Sequence, residues 1–305
     1  MQPEIHYRSP RRGRGYWRQP PVDWMVLPLV LVLALVIGYP VVRALTLGFY
    51  HYRLNQGDPV FNGVTNFQLL AGDPVFWTAI RNTLVYTGVS VAITCLVGLL
   101  LALLTERVSE RLPVLQTVLL APWAVPVIVV AFLFRYIFDQ ESGGANALLL
   151  GLHLIAHPLP WLANGPLAMG ALVVANVWSQ TPFFLLVFLA ALRGIPDQLI
   201  EAARVDGADE LAIARHVKIP QVMGALVPAV LVAVITNFNN FTLVWSMTEG
   251  GPAYDTTTLV VYVYRLAFTQ FNVGYASAVG AIWLAVLIVF AVLFVRVTAS
   301  RTQAA

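Results

Sequence analysis

Apolar residues fall into six long runs, near 24–47, 81–104, 114–138, 167–191, 222–247 and 275–298. A helix needs roughly 20 such residues to cross the hydrocarbon of a bilayer. Pro28, Pro40, Pro122, Pro126, Pro182 and Pro228 lie inside the runs. In lipid, neighbouring helices satisfy the carbonyls a proline frees, so each run reads as one span. The stretch EAARVDGADELAIARHVKIP, residues 201–220, breaks this pattern. Just before it, Pro196 suits a first helical turn, and Asp197 and Glu201 place acids near a helix N-terminus. Leu199, Ile200 and Ala203 follow helical spacing. Gly207 allows a turn at positive φ. Asp209 and Glu210 then open a second short helix ending on His216 and Lys218, with Pro220 closing the element. The expectation is an all-α integral membrane protein with six transmembrane helices, carrying a compact polar hairpin over 195–220.

Composition strengthens that reading. Charged residues make up 11% of the 305 and hydrophobic ones 59%, against about 25% charged in soluble domains. Cys95, the single cysteine, rules out an internal disulfide. The Arg-rich polar N-terminus followed by a full-length span does not look like a cleaved signal peptide. Placing the N-terminus in the cytoplasm puts 13 of the 18 Lys and Arg on that side, as the positive-inside rule requires. They are Arg8, Arg11, Arg12, Arg14 and Arg18; Arg107 and Arg111; Arg193, Arg204, Arg215 and Lys218; Arg296 and Arg301. Both termini and the hairpin are then cytoplasmic. The expected organisation is a basic arm over 1–23, a six-span domain over 24–298 and a short tail over 299–305, with the bilayer as solvent and no role for nucleic acid.

The chemistry of the spans narrows the function. All 15 Asp and Glu fall in loops or at span ends, which opposes an ion-coupled carrier, because coupling normally places carboxylates within the bilayer. There is no G-x-x-x-x-G-K-[ST] loop for ATP, and Lys218 is the only lysine. No cluster of acids, His and Cys marks a membrane enzyme. A pump built on this chain takes its motor from another polypeptide, and a cytoplasmic hairpin offers that motor a handle.

The hairpin resembles the EAA loop of binding-protein-dependent ABC importer permeases, in which E-A-A is followed after three residues by G and nine residues later by I-x-L-P. Glu201, Ala202, Ala203, Gly207 and Pro220 match at that spacing, and Val217 and Ile219 replace the Ile and Leu. "DPVFWTAIRNTLVYT", "LLAPWAVP", "FFLLVFLAALRGIPDQLIEAARVDGA" and "FNNFTLVWSMTEGGPAYDTTTLVVYVYRLAF" are similar to carbohydrate-uptake permeases of the maltose type, in particular the first of two unlike permease subunits. The resemblance implies a type I importer fold and a coupling role for Glu201, Ala202, Ala203, Asp206, Gly207 and Pro220. It implies, as partners, a second homologous permease, two ATP-binding subunits that carry ATP and Mg, and an external solute-binding protein. It implies no cofactor in this chain.

A sugar site wants aromatic faces and neutral hydrogen-bonding groups. Asn237 and Asn240 are three apart, which on one helix puts them on one face, with Asn239 turned about 100° away in a packing role. The resemblance places Asn237, Asn240, Trp123, Gln180 and Phe183 at sugar-contacting positions. It also marks a departure, because polar family positions are here Ala233 and Val127. Interhelical hydrogen bonding is the other reading of the asparagines, and packing or lipid contact that of Trp123 and Phe183. His153 and His157 lack a third ligand and read as a solvated pair; Arg135 and Arg265 read as snorkelling side chains. The neutral cluster favours a neutral di- or oligosaccharide over glycerol phosphate or another polyol.

Overall fold

The computed structural model describes residues 22–106 and 113–302. Residues 1–21 of the basic arm, Arg107 and Arg111, and residues 303–305 lie outside the described residues. The chain divides into two compact units, up to Ala44 and from Leu45 onward. Near the start, α1 (Val22–Leu33) continues through a π-helical turn, Ala34–Gly38, into α2 (Tyr39–Leu47).

From residue 45 the fold is helical apart from a two-residue antiparallel pairing of β1 (Tyr50–His51) with β2 (Val60–Phe61). After a short α3 (Thr65–Ala71) comes α4 (Pro74–Thr105), 32 residues long and so seven residues earlier in its start than the apolar run suggests. The reason is a capping signal: Asp73 Oδ1 accepts from Val75 N at 2.8 Å and Phe76 N at 3.3 Å, with Pro74 in the first turn.

The run 114–138 is two helices. α5 (Pro113–Ala124) and α6 (Val127–Ile137) meet at 92°. Pro126, extended at φ −55° and ψ 135°, caps α6 and cannot donate an N–H back into α5. After α7 (Gly144–Gly151), α8 (Gly165–Arg193) is unbroken through its expected span, Pro182 included. The hairpin consists of α9 (Asp197–Val205) and α10 (Glu210–Ile213). Pro220 does not close it: α10 runs through a π-helical turn, Ala214–Lys218, directly into α11 (Ile219–Phe238), and Pro220 sits in that helix's first turn, where its missing N–H costs little. The run 222–247 also breaks, at Asn239, giving α11 and a separate α12 (Phe241–Thr248). A short α13 (Leu259–Tyr264) precedes α14 (Val273–Thr302). Among the described residues five helices are long and apolar enough to span a membrane, and the bent α5–α6 pair makes six if counted as one span.

α4 and α8 form the spine. Gly98 lets them touch: a Cβ there would stand 2.5 Å from Phe184 Cβ and 3.1 Å from Leu185 N. Buried Phe184, Leu185, Phe188 and Leu192 pack there with Ala102 of α4 and with Val222, Ala229 and Ala233 of α11. A second cluster joins Tyr86, Val130, Phe134, Leu172, Leu243 and Met247. At the Asp73 end, Tyr275 donates to Asp73 Oδ2 at 2.7 Å and Tyr262 donates to the same oxygen. Burial pushes the Asp73 carboxyl up, but the bonds from the two tyrosines and from the backbone of Phe76 and Val75 outweigh it and hold the group below its ordinary range.

Candidate functional site

Two places carry polar chemistry in an otherwise apolar molecule. The first is the hairpin. α9 ends at Asp206, and Gly207 reverses the chain at φ +84°, a conformation a side chain resists. Gly207 N donates to Arg204 O and Ala208 N to Ala203 O, both at 3.0 Å, so the carbonyls freed at the end of α9 are satisfied. Asp209 caps α10 by accepting from Ala212 N at 2.7 Å. Arg204 and Glu210 pair at 3.2 Å across the turn with both side chains exposed, a contact worth about 0–1 kcal/mol. Glu201, Ala202, Asp206 and Pro220 are exposed and Ala203 half-buried. At the hairpin's tip Val205 is 87% and Leu211 76% exposed, so two large apolar side chains stand out from a charged element. Glu201 also borders a polar cavity of about 490 Å³ at the hairpin's base, shared with Glu106, Arg193, Asp197, Arg204 and Lys218.

The second place is a buried amide cluster. The two asparagines expected on one helix face are not on one helix: Asn237 is in the last turn of α11, and Asn240, past the break, caps α12 by accepting from Leu243 N at 3.3 Å. They converge on Asn176 of α8. Asn176 Nδ2 donates to Asn237 Oδ1 at 2.7 Å, and Asn176 Oδ1 accepts from Asn240 Nδ2 at 3.2 Å. Asn240 Nδ2 also donates to the Tyr86 hydroxyl at 2.9 Å, and Asn237 Nδ2 to Ala233 O at 2.8 Å. The cluster thus ties α4, α8, α11 and α12 together, and the interhelical bonding left open by the sequence is present. Asn239, expected to pack, is exposed, and its Nδ2 donates to Ile235 O of the helix it caps, at 2.8 Å.

Gln180 and Phe183 follow Asn176 at i+4 and i+7, on the same face of α8. Both are half-buried, Phe183 edge-on to Phe184 with centroids 5.4 Å apart. Trp123 is 53% exposed, one residue before the α5–α6 break. An apolar cavity of about 510 Å³ between α4, α5 and α8 is lined by none of the five expected sugar-contacting residues. Asn176 escaped the sequence reading although its spacing to Gln180 and Phe183 was a usable signal. Arg135 and Arg265 are tied down, Arg135 donating to Ser246 O at 3.3 Å and Arg265 to Glu249 O at 2.6 Å. His153 and His157 bring no partner: among the described residues no three His, Cys, Asp or Glu group as a metal site would need.

Residues 95–303 match the family described as the binding-protein-dependent transport system inner membrane component. The chain belongs to this family. The permease is 32% identical over 284 residues to a probable ABC transporter permease protein of Brucella suis biovar 1, covering 92% of this chain and 97% of that one. It is 30% identical over 277 residues to the trehalose/maltose transport system permease protein MalF of Thermococcus litoralis, covering 90% and 92%. It is 29% identical over 284 residues to the lactose transport system permease protein LacF of Rhizobium radiobacter, covering 92% and 94%. Its fold matches a solved bacterial ABC transporter involved in the import of the acidic polysaccharide alginate, with a TM-score of 0.75 over 92% of this chain and 95% of that one at 22% identity. The permease is therefore a multi-pass inner-membrane subunit of an ABC importer that works with a binding protein, and ATP is bound by partner subunits.

Proposed function

We propose that this permease forms half of the translocation pathway for a neutral di- or oligosaccharide, with a second, homologous permease as the other half. The observation that carries the substrate class is the neutral amide cluster at the junction of four helices, in which Asn176, Asn237 and Tyr86 are buried and Asn240 is half-buried. The permeases named for trehalose/maltose and lactose, similar over nine-tenths of the chain, support the same class. Asn237 and Asn240 reach a sugar by exchanging their bonds to Asn176 and Tyr86 for sugar hydroxyls, so the amides keep partners throughout transport. Gln180 and Phe183 extend the same face of α8, and Trp123 offers an aromatic surface at the α5–α6 break. Both termini and the hairpin 195–220 face the cytoplasm. There Glu201, Ala202, Ala203, Asp206, Gly207 and Pro220 build the coupling element, and Val205 and Leu211 enter the ATP-binding subunit. The deciding experiment is calorimetry of the cognate solute-binding protein with maltose, trehalose, lactose and glycerol 3-phosphate. Binding of a neutral disaccharide supports the proposal. Binding of glycerol 3-phosphate alone overturns the substrate class and leaves the importer assignment intact. Purification of an active complex without another membrane subunit overturns the pairing of two unlike permeases.

A further inference from the structure

Lys218, the only lysine in the chain, is 6% exposed and forms an ion pair with Glu106 Oε2. Glu106 caps the end of α4, and Lys218 closes the π-helical turn through which the hairpin passes into α11. The two partners are 112 residues apart in sequence. One helical turn away on each side, Ala102 and Val222 belong to the apolar cluster that packs α4 against α11. The pair therefore extends that contact past its apolar end, at the rim of the polar cavity that Asp197, Glu201 and Arg204 also border.

Stability does not explain such a pair. Replacing a buried ion pair by well-packed apolar residues is often neutral or stabilising. What it supplies is direction: apolar contacts are non-directional and let helices slide, whereas a charge-assisted hydrogen bond holds one register. The π-helical turn adds a second observation, since single π turns inside helices are frequent at functional sites.

We propose that the Glu106–Lys218 pair is the joint that makes α4 move with the hairpin. Its residues position the coupling element and touch neither sugar nor nucleotide. When an ATP-binding subunit displaces the hairpin, the pair carries that displacement into the foot of α4, and α4 carries it to Tyr86 and the amide cluster. This rests on the hairpin docking to the ATP-binding subunit, so the test separates the two.

In the complete transporter with Cys95 replaced by Ala, nitroxide labels go on Leu104→Cys and Gln198→Cys, one on α4 and one on the hairpin, both exposed and outside the proposed docking residues. Pulsed-dipolar distances are measured without nucleotide and with ATP plus vanadate. With the native pair, one narrow distance persists in both states. Lys218→Met gives a distance that shifts or broadens on adding ATP and vanadate, and the swap of Glu106→Lys with Lys218→Glu restores the invariant distance. If Lys218→Met does not assemble, Glu106→Gln with Lys218→Met removes both charges and gives the same uncoupled distances. A Val205→Cys cross-link to the ATP-binding subunit reports docking in parallel. Its absence overturns the docking reading and this inference together. Its presence, with distances that stay invariant after the pair is removed, overturns the inference alone.

Discussion

Removing the Asn240 side chain tests the amide cluster most directly, because one amide does two separable jobs. Its Oδ1 caps α12 at Leu243 N, and its Nδ2 donates to Tyr86 and Asn176. Loss of an N-cap costs about 1 kcal/mol. Interhelical hydrogen bonds within membranes average about 0.6 kcal/mol each, so two add about 1.2. Asn240→Leu should then destabilise by about 2 kcal/mol, the sum of these terms. Asn240→Ser keeps a capping oxygen but is too short to reach Tyr86, and should lose only about 1 kcal/mol. Asn239→Leu, at an exposed position bonded within its own helix, is the reference and should stay within about 0.5 kcal/mol of the parent. Unfolding of the purified complex by SDS titration reads all three, and sugar uptake per assembled transporter is measured beside it. Uptake should fall for Asn240→Leu and hold for Asn239→Leu. An Asn240→Leu protein as stable as Asn239→Leu would refute the tether, and full uptake by it would remove Asn240 from the sugar path.

Gly207→Val forces a β-branched residue to φ +84°, at a cost of about 1–2 kcal/mol; binding-protein-stimulated ATP hydrolysis should drop about tenfold or more, the equivalent of 1.4 kcal/mol, while the spans still assemble. Gly98→Ala places a Cβ 2.5 Å from Phe184 Cβ; the spine should lose about 1–3 kcal/mol, read as a lower SDS midpoint and lower yield. The Asp73 carboxyl is held below its ordinary value of 3.8 in the folded protein, so its stabilising effect is complete above that pH and fades as the pH falls through the lowered value. The stability difference between the parent and Asp73→Asn should therefore be constant near neutrality and shrink below about pH 4; a difference that grows on acidification would reverse the sign.

Much of this was legible in the sequence, and the failures share a cause. Long apolar runs report that a segment lies in lipid, because transfer energy depends on composition. They do not report direction. The residues after Pro126 and after Asn240 are as apolar as those before, so the 92° bend and the break at Asn239 were hidden inside continuous runs. Pro126 was visible, but a proline inside a span is compatible with a kink that neighbours repair. Pro220 misled in the opposite sense: it reads as a stop, yet in a first turn it is a helix former. The hairpin was legible because Gly207 and the Asp209 cap act locally. The joins made by Asn176 and by Glu106 were not, since each partner lies 61 or more residues away along the chain.

α4 has a mechanical property set by its length alone. At 1.5 Å per residue its 32 residues make a rod of about 48 Å, against a hydrocarbon layer of about 30 Å. The rod projects from the bilayer, and three attachments are spaced along it: the two tyrosines on Asp73 at one end, Tyr86 on the amide cluster part-way, and Glu106 on Lys218 at the other. A tilt of about 5° about one end moves the other by about 4 Å over that length, more than the reach of any hydrogen bond. A partner fixed in the bilayer would be lost by a rotation of that size, so an attachment at the far end persists only if, as proposed for Lys218, it moves with the rod.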